Sequence, residues 1–530
     1  MKSSFLSPLL FITAIILDRV AISSTQIGIN QSLRVLVILL LAASLTSLII
    51  QFFIQDWHHT QFIVTMVPVI LIAYRSSYNF LKTRFPLQAP YLGIGLMLGL
   101  GLLYAILVQY RVWRSVQKPA QVTAYFNIVF IALLSFQVVR LGQGGYDRFI
   151  NMDASQASLD LASGAALKLK KGTAPDIYVI VLDGYARQDV LQNIYQYSNS
   201  EFIGQLEKRG FYVANHSHSN YVQTPFAMAS FWNFDYLRPW DSSYDYGEYL
   251  FQSIESNRVF PTLEEVGYTT VSFEGASRFT QIKKSDVYLS NFLPLNEFES
   301  LLFTDSPLEP ISTIFNLGIS IPNYDTHRQR ILYDLKTLKD IPASIPGPKI
   351  VYAHMLLPHP PYVFKQNGDP IDPSRPYGIW DGNEYRGDRE EYWKGYREQV
   401  IFANKEILKV IDAILTNSKT PPVILVMGDH GPASMFNWNF ETPGCLWERT
   451  GNLYAMLLPG QQDDSVLYPS ISPVNTFRVI FNTYFGTDLP LLEDKSYMTF
   501  WQQPDRKVDI TNARDSLDGC MISDLQGLED

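Results

Sequence analysis

The sequence predicts a multi-span α-helical membrane domain followed by an α/β domain built around a mostly parallel sheet. Three observations carry this expectation. Residues 5–140 hold long apolar runs. From Pro175 onward short β-rich runs alternate with helical patterns, which is the order that makes a parallel sheet. Two of those β-rich runs, far apart in the chain, end in Asp-Gly and in Gly-Asp-His-Gly.

A transmembrane helix needs roughly 20 mostly apolar residues to cross the hydrocarbon core. Leu33–Ile54, Phe62–Tyr78, Tyr91–Val108 and Thr123–Val139 fit. Phe5–Ile22 is a fifth candidate, with Asp18 and Arg19 near its end, where a charge costs less than at the midplane. One such run reads as a buried core helix; five in succession read as a membrane domain. Trp57, Tyr74, Tyr110 and Trp113 sit at the ends of the runs, as interfacial aromatics do. Residues 1–141 are therefore assigned to the membrane domain and 142–174 to a juxtamembrane linker with a short helix around Ser158–Leu169. Residues 175–490 form the catalytic domain and 491–530 a C-terminal extension. Arg75, Lys82 and Arg84 in one loop are balanced by Arg111, Arg114 and Lys118 in the next, so charge bias gives no orientation.

The 530 residues carry a formal net charge of −9, which gives no basic surface for nucleic acid. The mean hydropathy is close to zero, an average that hides the contrast between the two halves. Cys445 and Cys520 are the 2 cysteines. They are too few for a disulfide scaffold and lack zinc-site spacing; one disulfide and two free thiols both remain open.

In the second half, strand-like runs are Ile177–Leu182, Thr269–Phe273, Ile350–Met355, Val423–Met427 and Leu453–Leu458. The clearest helix is Arg389–Asn417, where Tyr392, Tyr396, Val400, Ala403, Ile407, Val410 and Ile414 recur at spacings of three and four. In open α/β sheets ligands bind beyond the carboxyl ends of the strands. Asp183 comes just after the first strand, and Asp429 and His430 just after Val423–Met427. Carboxylates with one imidazole suit Mn²⁺, Mg²⁺ or Zn²⁺. Each piece alone is ordinary, because an Asp after a strand usually caps a turn.

In combination, Ile177–Gly184 and Val426–Gly431 resemble the frame of the alkaline phosphatase/sulfatase superfamily. Leu263–Phe273 is similar to that family's helix–Gly–strand unit, and Pro473–Gly486 to its late helix. The resemblance covers about residues 175–490 and implies an α/β/α sandwich. Sulfatases carry Cys/Ser-x-Pro-x-Arg, which is missing here; Asn220-Tyr-Val-Gln-Thr224 instead resembles the nucleophile region of lipoteichoic acid synthases and phosphoethanolamine transferases. That implies Thr224 as nucleophile and one divalent metal ion, Mn²⁺ first and Mg²⁺ or Zn²⁺ next, on Asp183, Thr224, Asp429 and His430. A second histidine-rich metal site has no matching residues: no Asp-x-x-x-His lies between Thr224 and Asp429, and no His occurs after His430.

The same resemblance assigns His359 and Arg278 to substrate binding, while His354 reads as a buried structural histidine. His216 and His218 alternate onto one face, either toward the site or toward solvent. The resemblance thus implies a metal-dependent phosphotransferase or phosphodiesterase, working through a phosphothreonine on a phospholipid or lipid-linked envelope substrate. Tethering to the bilayer favours such a substrate. A sulfatase-like or phosphatase-type hydrolase is the alternative, and a catalytically silent lipid sensor the alternative of another class. The expected setting is the plasma membrane, with the N-terminus cytoplasmic and residues 175–530 outside.

Overall fold

The computed structural model describes residues 6–22, 29–85, 88–109, 119–158, 174–238, 246–291, 299, 302–303, 306–315, 323–373, 375, 377–438, 444–460, 466–500 and 506–520. It divides into two compact units, and the division is not linear in sequence. One holds Met1–Asp160, Phe292–Ile321 and Ser374–Pro376; the other holds Leu161–Asn291, Pro322–Pro373 and Tyr377–Asp530.

The first unit contains helices α1 (Ser7–Ile22), α2 (Ile29–Ile54), α3 (Trp57–Arg84), α4 (Ala89–Gln109) and α5 (Pro119–Ser158). Among the described residues, three stretches are long and apolar enough to cross a membrane: Ser32–Ile54, Trp57–Leu81 and Ala120–Arg140. The chain is thus an integral membrane protein. The other two expected spans are shorter. Ala89–Ala105 is apolar, and α1 has 16 residues, about 24 Å of helix against a core of about 30 Å. The charged end of α1 is partnered: Asp18 accepts from Gln137 at 2.9 Å and lies 3.7 Å from Arg140 on α5. Instead of ending near Val139, α5 runs on through the first part of the expected linker to Ser158. The short helix expected around Ser158–Leu169 lies outside the described residues, apart from Ser158 itself.

Residues 292–321 enter this unit from the middle of the second half. Their helix Leu308–Phe315 brings Glu309 to the Tyr78 hydroxyl near the end of α3. Glu299 pairs with Arg34 near the start of α2, and Leu302 packs on Ile16 and Val20 of α1. No local pattern announces this docking, because it joins single residues of distant segments.

The second unit is an α/β/α sandwich. Its seven-stranded sheet has the order β2-β7-β6-β1-β5-β3-β4. The strands are β1 (Ile177–Leu182), β2 (Tyr212–Val213), β3 (Thr269–Phe273), β4 (Val287–Leu289), β5 (Lys349–Met355), β6 (Val423–Met427) and β7 (Tyr454–Leu457). β1 pairs in parallel with both β5 and β6, and the antiparallel pairs are β2–β7 and β6–β7 at one edge. All six β1 residues are fully buried. Tyr178, Ile180 and Leu182 belong to one core and Ile177, Val179 and Val181 to the other, since a strand's side chains alternate between faces. That double burial explains the unbroken apolar run. Helix Arg389–Asn417 forms where its periodicity placed it and seats Tyr392, Tyr396, Val400, Ile407, Val410 and Ile414 in the first core.

The C-terminal residues pair as β8 (Tyr497–Thr499) with β9 (Lys507–Asp509). They also bind the segment that leads to Thr224. Tyr497 N donates to Asn220 O at 2.9 Å, Ser496 Oγ donates to Ser219 O at 2.7 Å, and His218 meets Asp515 at 2.9 Å. Cys445 and Cys520 form a disulfide.

Candidate active site

Because β1 and β6 are parallel neighbours, their carboxyl ends share one sheet edge. Asp183 leaves β1 there, and Asp429 and His430 leave β6. The turn Gly428-Asp-His-Gly431 needs both glycines. A Cβ on Gly428 would fall 2.4 Å from Tyr185 O, and one on Gly431 would fall 2.0 Å from Glu448 O. The motif's glycines therefore reflect backbone packed against backbone, which fixes where Asp429 and His430 point.

Single ligand atoms of Asp183, Asp429 and His430 lie within 4.8 Å of one another, and all three residues are buried. His430 Nδ1 is 2.9 Å from Gly431 O. A carbonyl only accepts, so Nδ1 carries the hydrogen and Nε2 presents its lone pair. That nitrogen lies 3.3 Å from Asp429 Oδ2 and 3.7 Å from Asp183 Oδ1. Both of those oxygens are buried without a hydrogen-bond partner. Three converging lone pairs repel one another and cost several kcal/mol of desolvation unless a cation sits among them. The donor set of oxygens and one imidazole fits a divalent metal ion.

Thr224 opens the helix Thr224–Asn233, and Pro225 comes next in its first turn. Its hydroxyl is 2.9 Å from His430 Nε2 and partly exposed. The helix N-terminus behind it favours negative charge at this point. The four residues expected as ligands are thus brought together.

His359 joins them. Its Nδ1 donates to Pro360 O, and its Nε2 is 3.4 Å from Asp381 Oδ2. Both ring nitrogens therefore act as donors, as in imidazolium. Burial pulls its pKa down, but Asp183 and then Asp381 outweigh that and raise it to about 9. Burial likewise pushes Asp183 up, yet His359, His354 and His430 hold it well below the usual carboxylate range. The His430 pKa is lowered by burial and by Arg449.

Arg278, the other residue expected to bind substrate, has partners of its own. Its guanidinium meets Glu248 at 3.2 Å and stands over the rings of Phe251 and Phe279. His218, one of the two alternating histidines, is buried against Arg187, Thr450 and Asp515.

Three further residues reach the cluster. His354, read from sequence as structural, is indeed buried within β5, but its Nε2 donates to Asp183 Oδ2 at 3.2 Å and its Nδ1 accepts from Tyr352 at 3.1 Å. Its signal was position: it sits on the strand next to β1, in register with Val181. Arg449, buried on the short helix Leu446–Thr450, donates to Asp381 Oδ2 at 2.9 Å and places Nη2 3.2 Å from His430 Nε2. Asp381 also accepts from Tyr392 at 2.6 Å and from Gly382 N at 2.9 Å. Neither Arg449 nor Asp381 lies in a motif.

No protein-family model matches this chain, and no curated protein sequence matches it. Among solved structures it is similar to the C-terminal periplasmic domain of EptC from Escherichia coli in complex with Zn, at 12% identity and TM-score 0.46 over 68% of this chain and 99% of that one. It is also similar to the integral membrane protein lipooligosaccharide phosphoethanolamine transferase A from Neisseria meningitidis, at 13% identity and TM-score 0.36, covering 90% and 94% of the two chains. A third is the phosphonate monoester hydrolase of Agrobacterium radiobacter, at 12% identity and TM-score 0.37 over 62% and 80%.

Proposed function

We propose that this chain is an enzyme of the alkaline phosphatase/sulfatase superfamily that transfers a phosphoryl-containing group through Thr224, with one divalent cation held by Asp183, Thr224, Asp429 and His430. One observation carries the reading: ligand atoms of three buried residues lie within 4.8 Å of one another, and a hydroxyl at a helix N-terminus stands 2.9 Å from one of them, His430 Nε2. A bound cation supplies Lewis acidity, lowering the hydroxyl pKa and neutralising phosphoryl charge. Mn²⁺ is the expected ion, with Mg²⁺ or Zn²⁺ as alternatives.

The chain's own residues do the rest. Thr224 Oγ1, whose partial exposure gives its proton a path to solvent, forms the bond to phosphorus. The bond from phosphorus to the leaving oxygen breaks, and the proton on His359 Nε2 caps that oxygen. An acceptor alcohol or water then attacks the phosphothreonine, returns a proton to His359 and frees Thr224. His354 orients Asp183 through Oδ2, leaving Oδ1 turned toward the cation position.

The substrate is a phospholipid or lipid-linked headgroup, because the catalytic unit is covalently attached to membrane helices. The active site faces the extracytoplasmic side. A disulfide fits an oxidising compartment. Five spans with a cytoplasmic N-terminus complete the reading.

The test is mass spectrometry of enzyme quenched during turnover of a phospholipid or a nitrophenyl phosphodiester. A phosphate-containing adduct on Thr224 is expected. Thr224→Ala should abolish turnover without unfolding, since it removes one hydroxyl and one methyl from a partly exposed site, and Thr224→Ser should keep some activity. An adduct mapping elsewhere, or full activity in Thr224→Ala, would overturn the assignment.

A further inference from the structure

We infer that Arg449, held in place by Asp381, receives a non-bridging oxygen of the transferred phosphoryl group beside Thr224. The inference rests on the proposed site and deepens it by naming the residue that recognises the group's charge.

The hydrogen bonds of the guanidinium can be counted. Arg449 is buried, and a buried guanidinium must place its N–H groups on acceptors. Nε donates to Val222 O at 2.7 Å. Nη1 donates to Asp381 Oδ2 at 2.9 Å and to Gly431 O at 3.0 Å. Nη2 has one acceptor here, His430 Nε2 at 3.2 Å.

That acceptor is also the lone pair the cation site requires. His430 Nδ1 is committed to Gly431 O, so Nε2 has one lone pair to give. With a cation held by His430, the Arg449 Nη2 group loses its partner while remaining in a water-poor pocket. An anionic oxygen is then the natural replacement, and charge-assisted N–H···O bonds are the strong ones. The location agrees. Thr224 Oγ1 and Arg449 Nη2 are 2.9 Å and 3.2 Å from the same nitrogen. A phosphorus bonded to Thr224 Oγ1 therefore carries its non-bridging oxygens within reach of Nη2.

Asp381 acts as the positioning residue. Its Oδ2 meets Arg449 Nη1 and His359 Nε2, while Oδ1 accepts from Tyr392 and Gly382. One fully engaged carboxylate thus sets two cationic groups on the same side of the site. Phe436 and Trp438 face the guanidinium, with ring centroids 5.7 Å and 5.1 Å from its carbon, and limit its other positions.

The test uses full-length protein in detergent, loaded with Mn²⁺ or Zn²⁺, and calorimetry with inorganic phosphate. Arg449→Gln should weaken phosphate binding by about tenfold or more, the loss expected for one charged hydrogen bond. Arg449→Lys, which keeps the charge without the planar fork, should fall between. Metal stoichiometry should stay at wild-type level in both, and metal affinity should hold or tighten, because no guanidinium competes for the His430 lone pair. Wild-type phosphate affinity in metal-loaded Arg449→Gln would overturn the inference. So would loss of the metal in both variants, which would assign Arg449 to supporting His430. Wild-type protein that binds neither ion nor phosphate would defeat the site reading itself, and this inference with it.

Discussion

Replacing Asp381 by Asn tests how the site keeps His359 charged. The Asp381 carboxylate lies 3.4 Å from His359 Nε2, and a charge pair at that distance is worth several kcal/mol at an effective dielectric constant of about 20. Burial opposes the charged ring, so the net effect is smaller. A rise of the His359 pKa from 6.5 to about 9 corresponds to about 3 kcal/mol in favour of imidazolium. Asp183 and Asp381 share that stabilisation. On the proposed ligand set a cation would engage Asp183, and Asp381 is the carboxylate that would continue to face His359. Asn keeps the shape and can still accept from Tyr392 and Gly382, but it removes the charge. With that charge gone, the ring's pKa falls. A general acid must be protonated, so turnover falls as pH rises through the His359 pKa. In Asp381→Asn that alkaline limb should move to lower pH. The assay is a pH–rate profile of kcat on wild-type and variant enzyme with matched metal content and thermal melts. An alkaline limb at the same pH in both folded proteins refutes the reasoning.

The remaining predictions concern the metal, the disulfide and the topology. Purified wild-type chain should hold one divalent ion, Mn²⁺ first, and Asp429→Ala and His430→Ala should each lose it, because too few ligands remain; two ions per chain, or unchanged metal in both variants, would count against the site. The Cys445–Cys520 bridge spans 75 residues, for which chain entropy gives about 4 kcal/mol. Cys520→Ala should therefore lower the Tm clearly, and a reductant should shift wild type by a similar amount but leave the variant unchanged. Reporter fusions at Lys171 and Lys118 should report outside and cytoplasmic locations respectively; a cytoplasmic signal at Lys171 would contradict the five-span arrangement.

Much of the site was legible because its residues lie at the ends of strands whose sequences are themselves unambiguous. β1 and β6 are fully buried on both faces, so they appear as unbroken apolar runs, Ile-Tyr-Val-Ile-Val-Leu and Val-Ile-Leu-Val-Met, and the residues just past such a run lie at the sheet edge. The Gly-Asp-His-Gly turn was legible for a local reason too: only glycine allows that backbone to approach Tyr185 O and Glu448 O. Arg278 was proposed by analogy of position; its contacts with Glu248 and two phenylalanine rings could not be read from the sequence.

The sequence by itself determined the membrane half and the alternation of strands and helices, and it singled out Asp183, Thr224, Asp429 and His430, which the fold brings together. These come from periodicity, apolar run length and short-range backbone sterics, which act between near neighbours in the chain, together with the motifs those residues form. Only the tertiary structure decided that His354 lies on Asp183, that Asp381 joins Arg449 to His359, that Cys445 pairs with Cys520, and that Glu299, Leu302 and Glu309 meet the N-terminal helices. Arg449 sits on a five-residue helix and Asp381 caps a single 3-10 turn, too short for any periodic signal. Arg449 and Asp381 are 68 residues apart in the chain. Such contacts form because buried charges must find compensating charges wherever the fold brings them, and that pairing is a property of the packed interior rather than of any segment.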